Sequence, residues 1–129
     1  KIIVSPSYRT PENILKKAFN TFNADHHVIK TIDKNAYLSA LAISNYIVVT
    51  CDSTSMISEA AMTGKPVYIA MMSSLKPTGR FKKFYSQLRD LGITRELGNS
   101  VESWSYNKLN EVTRIAPIIK TKMKKNGII

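Results

Sequence analysis

Polar side chains crowd the point where the most regular strand-like run of the sequence is followed by a short helix. An acid and three hydroxyl residues come directly after the apolar run 46–50, namely Asp52, Ser53, Thr54 and Ser55. Backbone N–H groups at a helix N-terminus face outward and carry partial positive charge, so a phosphate is favoured there and the hydroxyl groups can donate to it. The alternative is that Asp52 or Ser53 only caps the helix.

Glu59 favours ligand binding over simple helix capping as the role of this loop. It lies one turn into the same helix, just after Ser58. A carboxylate at that position can accept hydrogen bonds from both hydroxyl groups of a ribose that lies across the helix. The loop and Glu59 together therefore predict a site for a phosphorylated nucleoside.

A second loop of the same kind follows the first predicted strand. Arg9 comes just before Thr10 and Pro11, where a helix is predicted to begin. A guanidinium at the carboxyl edge of a sheet is suited to bidentate binding of a diphosphate. The alternative is a surface cation that pairs with Glu12.

Other chemistries lack their sequence motifs. The glycines, at positions 64, 79, 92, 98 and 127, do not form the GxGxxG dinucleotide fingerprint, so epimerase activity is not indicated. Gly64 and Lys65 lack the upstream glycine of a Walker loop. Asp25, His26 and His27 have no second acidic cluster with which to share metals, and no paired-aspartate DxD motif occurs. We therefore predict no metal and no cofactor.

Strand-like and helix-like segments alternate along the chain. Strands are predicted near 1–5, 28–32, 46–50 and 67–71, with a short edge strand at 94–97. Helices are predicted from Pro11, over 35–44, 56–63 and 80–91, and from Tyr106 onward with an interruption at Pro117.

This alternation predicts an α/β fold of Rossmann type. The first four strands are expected to lie parallel in one sheet with helices on both faces. Ligands of such sheets bind at the carboxyl ends of the strands. The candidate ligand loops are therefore 6–10, 51–55 and 72–79.

Length and composition limit the classes of protein to which the chain can belong. The chain has 129 residues, 43% of them hydrophobic and 22% charged, which fits one folded domain and excludes an intrinsically disordered chain. No apolar run reaches the length of a membrane span, and no signal peptide is recognisable. One cysteine, Cys51, excludes an internal disulfide and a cysteine zinc site, so a cytoplasmic location is expected. Because the sequence begins with Lys1 inside a strand-like run, we expect a piece of a longer protein.

The net charge of +10 is concentrated in the second half of the chain, since residues 1–65 carry +2 and residues 66–129 carry +8. The excess comes from two groups of cations, Lys76, Arg80, Lys82 and Lys83, and Lys120, Lys122, Lys124 and Lys125. Such a field favours phosphates, nucleic acid or an anionic membrane surface, and the alternative is a solvated lysine-rich surface. Nucleic acid ranks last because the sequence has no recognisable RNA- or DNA-binding motif.

Three runs of sequence resemble a known family: SYRTP at 7–11, NAYLSALAISNYIVVTCDSTSMISEAAMTGKPVYI at 35–69 and GRFKKFYSQLRDLGI at 79–93. Plant members of that family are described as mitochondrial fission proteins. Its bacterial members are labelled predicted nucleoside-diphosphate-sugar epimerases or glycosyltransferases. The family resembles glycosyltransferases of the GT-B type, which have two Rossmann-like halves with a cleft between them.

The resemblance implies that this chain is the C-terminal half of such an enzyme, the half that holds the nucleotide sugar. It places Glu59 on the ribose of the donor. It places four residues on the diphosphate, namely Arg9, Ser53, Thr54 and Ser55. The family's Ser-Arg-Arg-Thr-Pro is here Ser7 to Pro11 with Tyr8 in place of one arginine, so diphosphate binding depends more on Arg9.

The resemblance also gives a role to the basic stretch at the start of the helix 80–91. Arg80, Lys82 and Lys83 match a basic run of the family that is expected close to the cleft. These cations would contact phosphate or an anionic acceptor. The alternative is a solvated helix face.

The sequence therefore predicts one domain over 1–129 that binds the donor of a metal-independent glycosyltransferase. A catalytic base, if the reaction uses one, would come from the missing N-terminal acceptor half, so the isolated domain is expected to be inactive. The alternative is a non-catalytic protein-interaction scaffold of the same fold. A cytoplasmic location is expected, with peripheral contact to a membrane as a further option.

Overall fold

Helices and short strands alternate along the residues that the computed structural model describes, which are 1–22, 24–72 and 78–129. The strands are β1 Ile3–Val4, β2 His27–Val28, β3 Ile47–Thr50, β4 Val67–Ala70 and β5 Thr94–Glu96. The helices are α1 Glu12–Phe22, α2 Lys34–Ile43, α3 Thr54–Ala61, α4 Gly79–Asp90 and α5 Glu111–Lys125. The chain divides into two compact units, Lys1–Ser44 and Asn45–Ile129.

The first unit is built on a parallel pair of strands. β1 and β2 pair with Ile3 opposite His27 and Val4 opposite Val28. α1 packs against β2. α2 begins where the Asp33 carboxylate accepts hydrogen bonds from two backbone N–H groups at 2.8 and 3.0 Å, so an N-cap sets its start.

The second unit contains a parallel sheet in the order β3-β4-β5. Its central strand β4 is apolar and almost wholly buried, since Val67, Tyr68 and Ile69 are each at most 5% exposed. A continuous apolar strand is what burial on both faces requires. β3 instead alternates, with Ile47 and Val49 buried, as a strand with one covered and one exposed face does.

α3 joins this sheet through one apolar face. Ile57, Ala60 and Ala61 recur at spacings of three and four residues, and each is fully buried. The helix packs against β3 and β4. The small alanines allow a close approach to the sheet, and Ile57 supplies most of the buried volume.

The α/β, Rossmann-like class predicted from the sequence is confirmed by this alternation and by the parallel pairing of the described strands. The expectation of one four-stranded sheet is wrong, because the described strands form two sheets. α3 begins at Thr54 rather than near residue 56, since the Ser53 carbonyl already accepts the first helical hydrogen bond. Residues 73–77 of the predicted loop 72–79 lie outside the described residues.

The last helix differs from its predicted form in two respects. It begins at Glu111 rather than Tyr106, because the residues before it are held in irregular backbone. Tyr106 donates to the Lys65 carbonyl at 2.8 Å, and the Leu109 N–H donates to the Ala61 carbonyl at 3.2 Å. Pro117 lies inside α5 without ending it, so the predicted interruption is wrong.

No helix within the described ranges combines the length and the apolar character that a membrane crossing requires.

Candidate functional site

The carboxyl end of β3 leads into α3 through a short turn, and the residue at the N-cap position does not cap the helix with its side chain. Ser53 occupies the N-cap position, and its carbonyl accepts the Ile57 N–H at 3.1 Å. Its side chain makes no capping hydrogen bond, although the residue is only 6% exposed. The first N–H groups of α3 therefore have no partner in the Ser53 side chain.

A pocket of about 620 Å³ lies beside this helix terminus, within the second unit. It is walled by two helices, α3 and α4. The residues that line it are Thr54, Ser55, Ser58, Glu59, Arg80, Phe81 and Phe84. Four of these residues were assigned to ligand binding from the sequence, namely Thr54, Ser55, Glu59 and Arg80. The structure thus brings two hydroxyl groups, a carboxylate and a guanidinium together in one pocket.

The positive charge of the α3–α4 pocket comes from its two helix N-termini and from Arg80. Thr54 and Ser55 belong to the first turn of α3, and Arg80 and Phe81 to the first turn of α4. The Thr78 N-cap of α4 also makes no side-chain capping hydrogen bond. Two helix dipoles and a guanidinium favour an anionic group at this end of the pocket.

Glu59 is the carboxylate of the pocket and lies further along α3. It lies five positions after Thr54, which corresponds to roughly 7.5 Å along the helix axis. Neither Glu59 nor Arg80 forms an ion pair within the part of the chain that the structure describes. Both charged groups therefore stay available to a ligand that has an anionic part and a hydroxyl-bearing part.

Two aromatic rings form the apolar wall of the pocket. Phe81 is exposed and Phe84 is half-buried, and the Phe84 ring packs against Tyr85 with centroids 5.7 Å apart. Phe81 and Phe84 recur at helical spacing in the sequence, which is typical of a core face, so their place on the pocket wall was not predicted. No sequence signal separates the two roles, since core and pocket aromatics share the same helical spacing.

Tyr85 ties α4 to the turn that precedes α3. Its hydroxyl donates to the Cys51 carbonyl at the carboxyl end of β3. Burial raises the pKa of Tyr85, and the neighbouring Cys51 thiol and Asp52 carboxylate raise it further. This contact joins the two walls of the pocket and was not predicted from the sequence.

Removal of the Tyr85 hydroxyl is expected to lower stability and to change its pH dependence. Tyr85→Phe leaves the Cys51 carbonyl without this donor, at a cost of about 1 kcal/mol. Because the pKa is raised on folding, the contribution is present below about pH 10 and is lost as the pH rises above that value. Urea unfolding from pH 8 to 11 should therefore show a shallower alkaline loss of stability in the variant.

Tyr8→Phe is the matched control for this measurement, since Tyr8 is 90% exposed. Its alkaline profile should match that of the parent protein. Equal alkaline slopes for Tyr85→Phe and the parent would contradict a structural role for the Tyr85 hydroxyl.

The remaining predicted site residues lie elsewhere. Arg9 is exposed in the first unit, in a turn in which the Thr10 N–H donates to the Ser7 carbonyl at 2.9 Å. Glu12, its alternative partner, forms an ion pair with Lys16. Lys82 and Lys83 are exposed on α4 but do not line the pocket.

A second pocket, of about 450 Å³, lies in the first unit between α1 and β2. Leu15, Phe19 and Val28 make it mainly apolar, and Lys30 lies over the Phe19 ring at 5.0 Å. It contains none of the residues that the sequence analysis assigned to ligand binding. Groups of three or more metal-ligating side chains are absent from residues 1–22, 24–72 and 78–129.

Comparison with known proteins relates the chain to one family. Residues 1–123 match the family model described as Mitochondrial fission ELM1. The chain is 33% identical to mitochondrial fission protein ELM1 of Arabidopsis thaliana over 96% of its length and 30% of that protein. It is 37% identical to an uncharacterized protein of Rickettsia prowazekii over 95% of its length and 36% of that protein. The chain thus spans about a third of these curated relatives. No solved structure is significantly similar to it.

Proposed function

This chain belongs to the mitochondrial fission ELM1 family, and from the geometry of its α3–α4 pocket we propose that it binds a nucleoside-diphosphate sugar. In this proposal it is the donor-binding part of a metal-independent glycosyltransferase of the GT-B type. The observation that carries the proposal is the pairing, in one pocket, of two helix N-termini and Arg80 with the carboxylate of Glu59. These groups are complementary to the two ends of a nucleotide.

The positive end of the pocket receives the diphosphate. Thr54 and Ser55 offer backbone and hydroxyl donors, and Arg80 offers a bidentate fork. Glu59 then accepts hydrogen bonds from the ribose hydroxyls. The separation of about 7.5 Å along α3 is comparable to the reach of a nucleotide from its phosphates to its ribose hydroxyls.

The same groups would assist the transfer reaction. Breaking the bond between sugar and diphosphate develops negative charge on the leaving nucleoside diphosphate. Helix N-termini and a guanidinium that are already oriented toward that charge stabilise it without reorganisation. The acceptor and any catalytic base would come from the rest of the longer protein, so this chain alone is expected to bind donor without turnover.

A non-catalytic scaffold is the second candidate function. The Arabidopsis relative is named a mitochondrial fission protein, and that name refers to a cellular process rather than to a reaction. One fold can serve as an enzyme or as an interaction module. In this case the pocket would bind no nucleotide.

Thermal unfolding with a panel of nucleoside diphosphates separates the two candidates. A ligand at a hundred times its Kd stabilises the folded state by about 2.7 kcal/mol, which raises the Tm by several degrees. We expect one or more nucleoside diphosphates to do so. If none raises the Tm at millimolar concentration, the donor-binding proposal is wrong and the scaffold is favoured.

Arg80→Gln and Lys82→Gln make a matched pair for the same assay. Both remove one cation from the first turns of α4, but only Arg80 lines the pocket. Arg80→Gln should weaken binding about tenfold or more, as the loss of a charge-assisted hydrogen bond does. Lys82→Gln should change it by less than about threefold, since an exposed charge outside the pocket acts only through a screened field. Equal effects would indicate non-specific attraction to the basic surface.

A further inference from the structure

α5 is an amphipathic helix that the described part of the protein leaves uncovered. Five of its apolar side chains recur at the spacing of one helical face, namely Val112, Ile115, Ala116, Ile119 and Met123. We refer to these five residues as the α5 apolar stripe. No residue of α5 is buried, and Val112 is 71% and Ile119 50% exposed.

The rest of the α5 surface is strongly cationic. The helix carries five cations and a single carboxylate, which are Arg114, Lys120, Lys122, Lys124, Lys125 and Glu111. Arg114 and Glu111 form an ion pair with each other. None of the four lysines forms an ion pair with a residue that the structure describes. Their charge is therefore available to an anionic partner.

We propose that α5 binds an anionic lipid bilayer, with the α5 apolar stripe inserted among the lipid chains and its lysines against the headgroups. An amphipathic helix with a cationic polar face and low mean hydropathy is suited to the interface plane of a membrane. Lysines near an anionic leaflet add attraction within a Debye length of the surface. An anionic bilayer would neutralise the lysines of α5 and would also bury the α5 apolar stripe.

The apolar stripe favours lipid over nucleic acid as the anionic partner. Phosphate contacts of a nucleic acid would use the lysines but leave Val112, Ile115 and Ile119 in water. A bilayer removes that apolar surface from water and neutralises the lysines at the same time. The proposal does not depend on the α3–α4 pocket, because α5 contributes no residue to it.

Vesicle binding of the full chain tests the proposal. The probes are vesicles of phosphatidylcholine alone and of phosphatidylcholine mixed with phosphatidylserine, followed by sedimentation at rising salt. We expect partition onto the mixed vesicles, little onto the neutral ones, and a fall with salt. No binding to the mixed vesicles, or equal binding to both kinds, overturns the proposal.

Two adjacent isoleucines provide a matched control for the apolar stripe. Ile118 and Ile119 are 49% and 50% exposed, but Ile118 lies about 100° round the helix from Ile119 and outside the stripe. Ile119→Ser should weaken partition about tenfold and Ile118→Ser much less. Equal losses, with both variants showing the parent's Tm, would overturn the assigned face.

A second pair of variants separates the α5 lysines from the general basic charge of the protein. Lys120→Gln with Lys124→Gln should weaken partition about twentyfold. Lys17→Gln with Lys34→Gln removes the same charge from the first unit and should have little effect. If the two pairs are equivalent, or if duplex DNA displaces the vesicles while Ile119→Ser changes nothing, the lipid proposal is wrong.

Discussion

Replacing Glu59 with glutamine is expected to weaken nucleoside-diphosphate binding by ten- to two-hundredfold and to leave folding almost unchanged. The affinity loss corresponds to about 1.5–3 kcal/mol, the usual range for hydrogen bonds to a charged group. Glu59 is exposed and forms no ion pair within the described residues, so its structural contribution is small. Glutamine also suits a helix, and the free energy of unfolding should stay within about 1 kcal/mol of the parent.

Calorimetry with two kinds of nucleotide makes this test specific. A ribonucleoside diphosphate should distinguish the parent from Glu59→Gln. A nucleotide that lacks both ribose hydroxyls should bind the two proteins nearly equally, because the contact with Glu59 is then absent from both. Unchanged affinity for the ribonucleotide would remove Glu59 from the site, whereas unfolding of the variant would make it a structural residue.

The second large effect is expected at Ile57, beneath the site. This side chain is fully buried where α3 packs against β3 and β4. Ile57→Ala removes three carbon atoms from a close-packed core, which costs about 2–5 kcal/mol of stability. Urea unfolding measures the loss, and any weaker nucleotide binding should follow only from the smaller folded fraction.

Two further variants serve as controls for Ile57→Ala, a smaller truncation at the same position (Ile57→Val) and a truncation at an exposed position (Met62→Ala). The valine variant removes one methyl group and should cost about 0.5–1.5 kcal/mol. Met62 follows α3 and is 51% exposed, so its truncation should change stability by less than about 1 kcal/mol. A cost for Ile57→Ala below about 1 kcal/mol would mean that α3 is not anchored through this residue.

The elements that follow local sequence rules were predictable. The apolar runs 46–50 and 67–71 form β3 and β4, because runs of β-branched and aromatic side chains favour strands. Only β4 has the nearly continuous burial that its apolar run predicts, since β3 alternates between buried and exposed residues. The last helix was placed too early. Its start depends on Asn110, whose side chain accepts the Thr113 N–H at 3.3 Å, while Tyr106 bonds to a distant carbonyl. Contacts between residues far apart in sequence leave no local pattern.

The part of the candidate site that lies on α3 was predictable from the sequence, and the part that lies on α4 was not. Thr54, Ser55 and Glu59 lie within six residues of one another at the start of one helix, so they could be assigned to one site from the sequence alone. The opposite wall comes from α4 through the contact of Tyr85 with Cys51, which joins positions 34 residues apart. Arg80 was associated with the cleft only through the family resemblance, and Phe81 and Phe84 had the periodicity of a core face. Composition and periodicity do not show which residues of α4 face the pocket.

The burial of Cys51 gives the protein a built-in reporter of local opening. Cys51 is the only thiol in the sequence, it is 5% exposed, and its own carbonyl is the acceptor for Tyr85. A thiol-modifying reagent reaches such a sulfur only in molecules whose surrounding structure has transiently opened, so the modification rate measures the population of that open state. Opening of the structure around the end of β3 can therefore be followed in the unaltered protein, with no introduced label.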